Sequence, residues 1–275
     1  MKREGISPLS VRNFQNIIYR HYHENPRKLE WRMTANPYRI LVSEIMLQQT
    51  QVERVSAKYK EFIKTFPSFK SLEGSSLRDI LEAWQGMGYN RRAVALKKIA
   101  ETVISDFRGR LPSSEDELIK LPGIGKYTAS AILAFAFNKP TVFIETNIRR
   151  VFIHFFFKER ALVRDSEILP LVEKTLDRSN AREWYYALMD FGVMLKTKTE
   201  NPNKRSAHYR KQSPFQGSNR QVRGMMLRLL LMKPDITEKE IIRELKSNPE
   251  KIKENLAVLQ NEGFVWRKGK RFKVR

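Results

Sequence analysis

The sequence predicts an all-α protein that closes with a small module of three helices and a hairpin. Three observations predict it. Apolar residues recur with the 3.6-residue period of a helix through most of the first 195 positions. The long alternating runs that mark sheet are missing from that stretch, and no repeat interrupts it. The content of 41% hydrophobic and 11% aromatic residues belongs to a chain with a real core, and 275 residues give room for one large domain or two ordinary ones.

Periodic segments fall at approximately residues 8–24, 37–49, 51–65, 77–85, 90–106, 114–120, 126–137, 146–157, 166–178 and 181–195. Asn36-Pro37 is a cap followed by proline at the first helical position. Ser114 with Glu117 and Thr237 with Glu240 have capping-box spacing, and Ile236 with Ile241 adds a hydrophobic staple to the second. Residues 1–195 therefore read as one all-α domain. Residues 196–220, rich in Pro, Gly, Ser and Asn, read as a connector. In residues 221–275 a Met/Leu-rich helix (Gly224–Met232) precedes a short one (Thr237–Lys246). A third runs from Asn248-Pro249 to Gly263, and FVWRKGKRFKVR forms a hairpin about Lys268-Gly269. This order resembles a winged helix. The resemblance implies that the third helix, with Lys251 and Lys253, and the wing, with Arg267, Lys268, Lys270, Arg271 and Lys273, grip DNA; modules of this kind also dock proteins.

Charge narrows the partners. Lys and Arg number 52 against 30 Asp and Glu, a net +22, and such an excess on a folded chain points to a polyanion, most often nucleic acid. The connector is the densest part, with seven basic residues and one acidic in 25 positions. A solvated linker needs no such bias, so Lys204 and Arg205 are candidates for tracking a phosphate backbone. Cysteine is absent, which excludes disulfides, thiolate zinc, cysteine nucleophiles and iron–sulfur clusters. The four histidines show no ligand spacing, so no metal site is expected from side chains. MKREGISPLS lacks a secretory apolar stretch and no run approaches a membrane span; a cytoplasmic protein without membrane association is expected.

Residues 113–137 form a helix, the turn LPGIGKYTA and a second helix. Pro122 stops the first, and Gly123 and Gly125 allow a tight turn whose backbone N–H groups point outward at the next helix. Such a helix-hairpin-helix turn holds a phosphate through main-chain donors, sometimes with a bridging monovalent or divalent cation. Two carboxylates stand out for their surroundings. Glu44 lies in ILVSEIML, where burial would raise its pKa and suit it to donate a proton; a polar stripe with Gln48 and Gln51 would instead leave it in solvent. Glu145, in TVFIETNIRRVF, starts a helix, where it also serves as a favourable first-turn charge. Arg91 and Arg92 could reach phosphate or begin a solvated helix.

SEIMLQQTQV, WQGMGYNRRA, LPGIGKYTASAIL, FIETNIRRV and LMDFGVML follow in this order. Together, over approximately residues 28–195, they resemble the helix-hairpin-helix base-excision glycosylases, most nearly the catalytic domain of MutY-type adenine DNA glycosylases. The resemblance implies a two-lobed all-α fold on double-stranded DNA containing a mispaired or damaged base, acting as a monomer near the nucleoid. Glu44 matches the glutamate that protonates the departing adenine, and Glu145 the aspartate that stabilises the oxocarbenium-like sugar. Gln48 and Gln49 fall where relatives probe the base stack, and Tyr89 matches an intercalating tyrosine. Gly123 and Gly125 match the phosphate-holding glycines, with Lys126 as a phosphate contact. Tyr127 stands where bifunctional relatives carry a Schiff-base lysine, which implies a monofunctional enzyme.

The sequence departs from that pattern in three places. Glu145 replaces the aspartate. Lys196, Asn203 and Ser206 fall where the first three cluster cysteines would come, so no iron–sulfur cluster and no required cofactor are expected, with connector charge in the cluster loop's place. The module at 221–275 stands where relatives carry a domain that reads 8-oxoguanine. A thymine or uracil glycosylase acting opposite guanine and a non-catalytic DNA-binding protein on the same scaffold are the rival expectations.

Overall fold

The computed structural model describes residues 6–210 and 214–275. Its described chain is mostly helical, as expected, and it divides into two units, each built from two separate stretches. One comprises Met1–Glu44 with Pro112–Lys211, the other Ile45–Leu111 with Gln212–Arg275.

In the first unit, α1 (Pro8–Glu24) begins at Ser7, whose hydroxyl accepts from the Ser10 amide, with proline at the first helical position. Asn36 caps α2 (Pro37–Leu47) as expected, its side-chain oxygen accepting from the Arg39 amide at 3.2 Å, and the division between units falls within this helix. After an intervening stretch come α7 (Glu115–Leu118), α8 (Lys126–Phe137), α9 (Thr146–Phe156), α10 (Asp165–Thr175) and α11 (Ala181–Lys198). Phe14 of α1 meets Phe152, Phe155, Phe156 and Trp184 edge-on, which gives the aromatic run of α9 its core. The packing of α9 on α11 is close because residue 192 is glycine. A Cβ there would stand 2.5 Å from the Asn147 carbonyl oxygen, inside the first turn of α9. A 3₁₀ turn, Pro202–Arg205, then folds back over α9.

The second unit holds α3 (Val52–Thr65), α4 (Phe69–Glu73), α5 (Leu77–Ala83) and α6 (Arg91–Asp106), and also the whole C-terminal module. That module runs α12 (Asn219–Met232), β1 (Ile236–Thr237), α13 (Glu238–Leu245), α14 (Pro249–Asn261), β2 (Val265–Lys268) and β3 (Arg271–Val274). The sheet is antiparallel in the order β1-β3-β2, with Ile236 opposite Phe272 and Val265 opposite Val274. The capping box at Thr237 is present. Two elements, α4 and β1, lack a counterpart in the sequence reading, and a third starts earlier than expected. The five-residue α4 and two-residue β1 are too short to show a period, and α12 starts at Asn219 because Ser218 caps it, five residues before Gly224.

The module packs on the helices of residues 45–111 through specific polar bonds. Glu262, at the end of α14, receives both Arg91 of α6 and Arg223 of α12, and Arg78 of α5 donates to the Leu231 carbonyl at 2.5 Å. The two guanidinium groups hold the Glu262 carboxyl down to about pKa 2 against the opposing effect of partial burial. Because this folded-state pKa lies below the ordinary value, the stabilisation is whole above about pH 4.5 and is lost as pH falls toward 2. Glu262→Gln is expected to cost about 1–2 kcal/mol at neutral pH and to remove that acid-side loss, as read by urea denaturation from pH 7 down to 3.

Candidate active site

Three residues named from sequence come together in the first unit. Glu44 lies on α2 between Ile40, Leu41 and Val42 on one side and Ile45 and Met46 on the other, all buried. It is only 8% exposed, so the solvent-facing stripe is not what forms. Burial pushes its carboxyl up to about pKa 8; repulsion from Glu145 adds to this and Arg32 opposes it. Arg32 is held in place by Asp190 of α11 at 2.8 Å, and its guanidinium lies 4.6 Å from the centre of the Tyr186 ring. Asp190 also accepts from the Arg27 amide at 3.1 Å, which makes it the anchor of this corner.

Glu145 is the N-cap of α9. One carboxylate oxygen accepts from the amides of Asn147 at 2.6 Å and Ile148 at 2.8 Å, and the other from the Asn147 side chain at 3.2 Å. Burial raises its pKa, and those bonds, Arg150 and Arg149 work the other way. The two carboxyl groups are thereby unlike. Glu145 sits among N–H donors that favour its charged form, while Glu44 keeps its proton through neutral pH. Tyr127, in the first turn of α8, completes the group. Its hydroxyl is pushed well above its ordinary pKa by burial and by both carboxylates, while its ring meets Phe143 edge-on at 5.6 Å.

The turn before α8 has the expected geometry. Gly123 adopts φ +79°, a left-handed conformation, and Gly125 caps the helix. A Cβ on Gly125 would meet nothing within 4 Å, so internal packing does not require glycine there. Lys126 is exposed, 4.0 Å from Glu115. Among the described residues no cluster of three His, Asp or Glu could hold a metal ion.

In the second unit, Arg92 organises the segments carrying Gln48, Gln49 and Tyr89. It is 7% exposed and donates to the carbonyls of Ile45, Met46, Gln48, Met87 and Gly88 at 2.6–3.2 Å, and to the Thr50 hydroxyl at 2.9 Å. Gln49 and Tyr89 both take positive φ, +54° and +47°, a strained state that this one guanidinium holds. Arg92 therefore does not reach phosphate or begin a solvated helix. Its position on the buried stripe with Leu96, Ile99 and Val103 was the available signal.

The remaining sequence candidates are Arg205, Lys204 and Lys268. Arg205 caps the end of α9, donating to Phe157 O and, at 2.7 Å, to Lys158 O, so its fork is committed to main chain. Lys204 pairs with Glu200 at 3.2 Å, and Lys268 is exposed at the hairpin. An iron–sulfur cluster does not fit this segment. The chain offers amide and hydroxyl groups instead of thiolates: Asn203 donates to the Thr146 carbonyl at 2.9 Å, and Ser206 accepts from the His208 amide. Arg150, 3% exposed, ties the Gly192 carbonyl, Asn147 and Asn201 together behind Glu145. Arg32 and Arg150 are not singled out by the sequence, which offers Arg92 only as a phosphate contact or the start of a solvated helix.

Two outcomes follow from this geometry. Arg92→Ala strands a set of buried acceptors and is expected to cost about 3–5 kcal/mol in urea unfolding, with Arg92→Lys recovering only part. Glu44 has a raised pKa, so ionising it costs stability progressively as pH climbs from about 4.5 to about 8. Glu44→Gln is expected to be more stable than the parent at pH 8, by about 1.4 kcal/mol for each unit of that window, and equal to it near pH 4. A constant difference across pH would contradict the burial of this carboxyl.

Comparison with known proteins gives the family. The family model described as HhH-GPD superfamily base excision DNA repair protein matches residues 42–251. An adenine DNA glycosylase of Buchnera aphidicola subsp. Baizongia pistaciae is 39% identical over 69% of this chain and 54% of its own. The chain thus spans about half the length of that relative. An adenine DNA glycosylase of Mycobacterium tuberculosis is 32% identical over 76% of this chain and 75% of its own. A thymine/uracil-DNA glycosylase of Methanothermobacter thermautotrophicus is 30% identical over 66% and 84%. Among solved structures, a thermostable thymine-DNA glycosylase superposes with a TM-score of 0.62 at 26% identity, covering 71% of this chain and 91% of that one. With 14 helices among the described residues, a glycine turn before α8 and a match across residues 42–251, the chain belongs to the HhH-GPD superfamily of base excision DNA repair proteins.

Proposed function

We propose that this protein is a monofunctional DNA glycosylase that excises adenine mispaired with guanine or 8-oxoguanine. The observation that carries the reading is the unlike carboxyl pair. A protonated Glu44 can donate to the departing base, which lets the glycosidic bond break without expelling an anion. Glu145, whose carboxylate form the N–H donors at the head of α9 favour against its burial, stabilises the positive sugar left behind. Water then adds to that centre and an abasic site remains. Tyr127 beside the pair is a phenol with a raised pKa and offers no amine for a Schiff base, which supports simple hydrolysis without strand cleavage.

Duplex DNA is the proposed partner, met by a monomer in the cytoplasm at the nucleoid. The Gly123–Gly125 turn with Lys126 would hold a phosphate, with a monovalent or divalent cation as a possible bridge. Gln48, Gln49 and Tyr89 would enter the base stack around the flipped nucleotide. No cofactor is required. The domain reading becomes a glycosylase body, residues 1–195, a basic connector, residues 196–220, and a winged-helix-like DNA-binding module, residues 221–275. In that module the hairpin is the favoured DNA contact. Arg267, Lys268, Lys270, Arg271, Lys273 and Arg275 crowd it without an acidic residue, beside a cleft of about 880 Å³ that also takes Arg78 and Trp266. Helix α14 is less suited, since Glu250 and Glu254 accompany its lysines and Lys251 donates to the Gly217 carbonyl. Lys204 and Arg210 are the proposed phosphate contacts of the connector; its neighbour Lys211 lies outside the described residues.

A second reading, thymine or uracil excision opposite guanine, is favoured by likeness to the thymine/uracil-DNA glycosylase and to the thermostable thymine-DNA glycosylase. One assay decides. End-labelled duplexes with A·G, A·8-oxoguanine, T·G and U·G are incubated with protein and then treated with alkali. Breaks at adenine that need alkali and drop at least a hundredfold with Glu44→Gln support the proposal. Breaks at T or U favour the second reading, and no breaks in any duplex overturn both.

A further inference from the structure

Tyr89 is held from two directions. Its backbone takes φ +47°, and the Arg92 guanidinium lies 5.4 Å from its ring centre. At the far end of the ring, the hydroxyl accepts from Arg220 Nη1 at 3.1 Å. Arg220 belongs to the first turn of α12, so a residue of the C-terminal module touches the tip of the loop that the sequence motif WQGMGYNRRA builds.

This bond is not what attaches the module. Glu262 with Arg91 and Arg223, and Arg78 on the Leu231 carbonyl, already hold α12 against the helices of residues 45–111. One further bond between exposed groups adds little stability. It does fix a direction. A tyrosine ring on a glycine-flanked loop turns about its side-chain bonds, and anchoring the hydroxyl removes that freedom before any partner arrives. A ring presented in one orientation meets different bases with different fit, whereas a swinging ring accommodates all of them and distinguishes less.

We propose that Arg220 is a positioning residue that orients Tyr89 and thereby sets which base the protein prefers opposite its target, making the C-terminal module part of the mispair-reading surface. The inference rests on the reading of Tyr89 as the side chain that enters the base stack. Its measure is a ratio, so a merely structural contribution by Arg220 leaves it unmoved.

The test uses the full-length chain carrying Glu44→Gln to block turnover. Affinities for duplexes with A opposite G and A opposite C are read by fluorescence anisotropy. Arg220→Ala is expected to lower the A·G over A·C preference about tenfold, and Tyr89→Phe to lower it as much. Combining them is expected to add nothing, because both remove the same bond. Arg220→Lys, which keeps a donor and the charge, is expected to retain most of the preference. An unchanged ratio, additive losses, or a lowered melting temperature with the ratio intact overturns the proposal. Excision by the Glu44 protein is measured in parallel. Failure to release adenine there defeats the glycosylase reading alone, since the binding ratio still decides the role of Arg220.

Discussion

Two carboxyl groups that repel each other and are both removed from water impose the main constraint on this molecule. Left alone, each would take up a proton, and no difference between them would survive. The first unit creates the difference by spending helix ends and arginines unequally. Glu145 receives the opening amides of α9, and Glu44 receives an apolar helix with one guanidinium nearby. Asp190, Gly192 and Arg150 are then understood together: they fix where Arg32 and the head of α9 stand relative to one another.

The replacement of an aspartate by Glu145 becomes intelligible in the same terms. The longer side chain still caps its own helix, with both oxygens engaged. The segment at 201–207 solves a related difficulty without thiolates. Asn201, Asn203 and the main chain of Val163 and Ala207 stitch it to the surrounding helices, including the one that Glu145 heads. Its positive charge is partly internal: Arg205 finishes α9, and its strong local charge density therefore overstates what is presented to a partner.

Helix positions were legible because period and caps repeat the same message, as at Asn36-Pro37 and Thr237 with Glu240. Glu44 and Glu145 were legible as a pair only through the motifs around them. Taken singly, an apolar run with one carboxylate fits a surface stripe as well as a buried acid, and only tertiary packing on both sides of α2 decides it. The arginines were illegible for a related reason. Arg92 lies on the buried stripe of α6, yet the acceptors that make burial tolerable are carbonyls from residues 45–48 and 87–88, and carbonyls carry no sequence signature. The two-residue β1 shows the same limit, since Ile236 pairs with Phe272, a strand residue 36 positions later.

Each compact unit is assembled from two pieces of chain that are far apart in sequence. This interleaving orders events during synthesis, when domains fold as their residues emerge. Residues 45–111 leave the ribosome early, but Arg78 and Arg91 meet their partners at Leu231 and Glu262 only after more than a hundred further residues have emerged. The first unit has all its residues by Lys211, so the carboxylate pair can be in place before the tip at Tyr89 acquires its last contact. The carboxylate pair thus belongs wholly to chain that precedes Gln212, whereas the contact at Tyr89 depends on Arg220 beyond it.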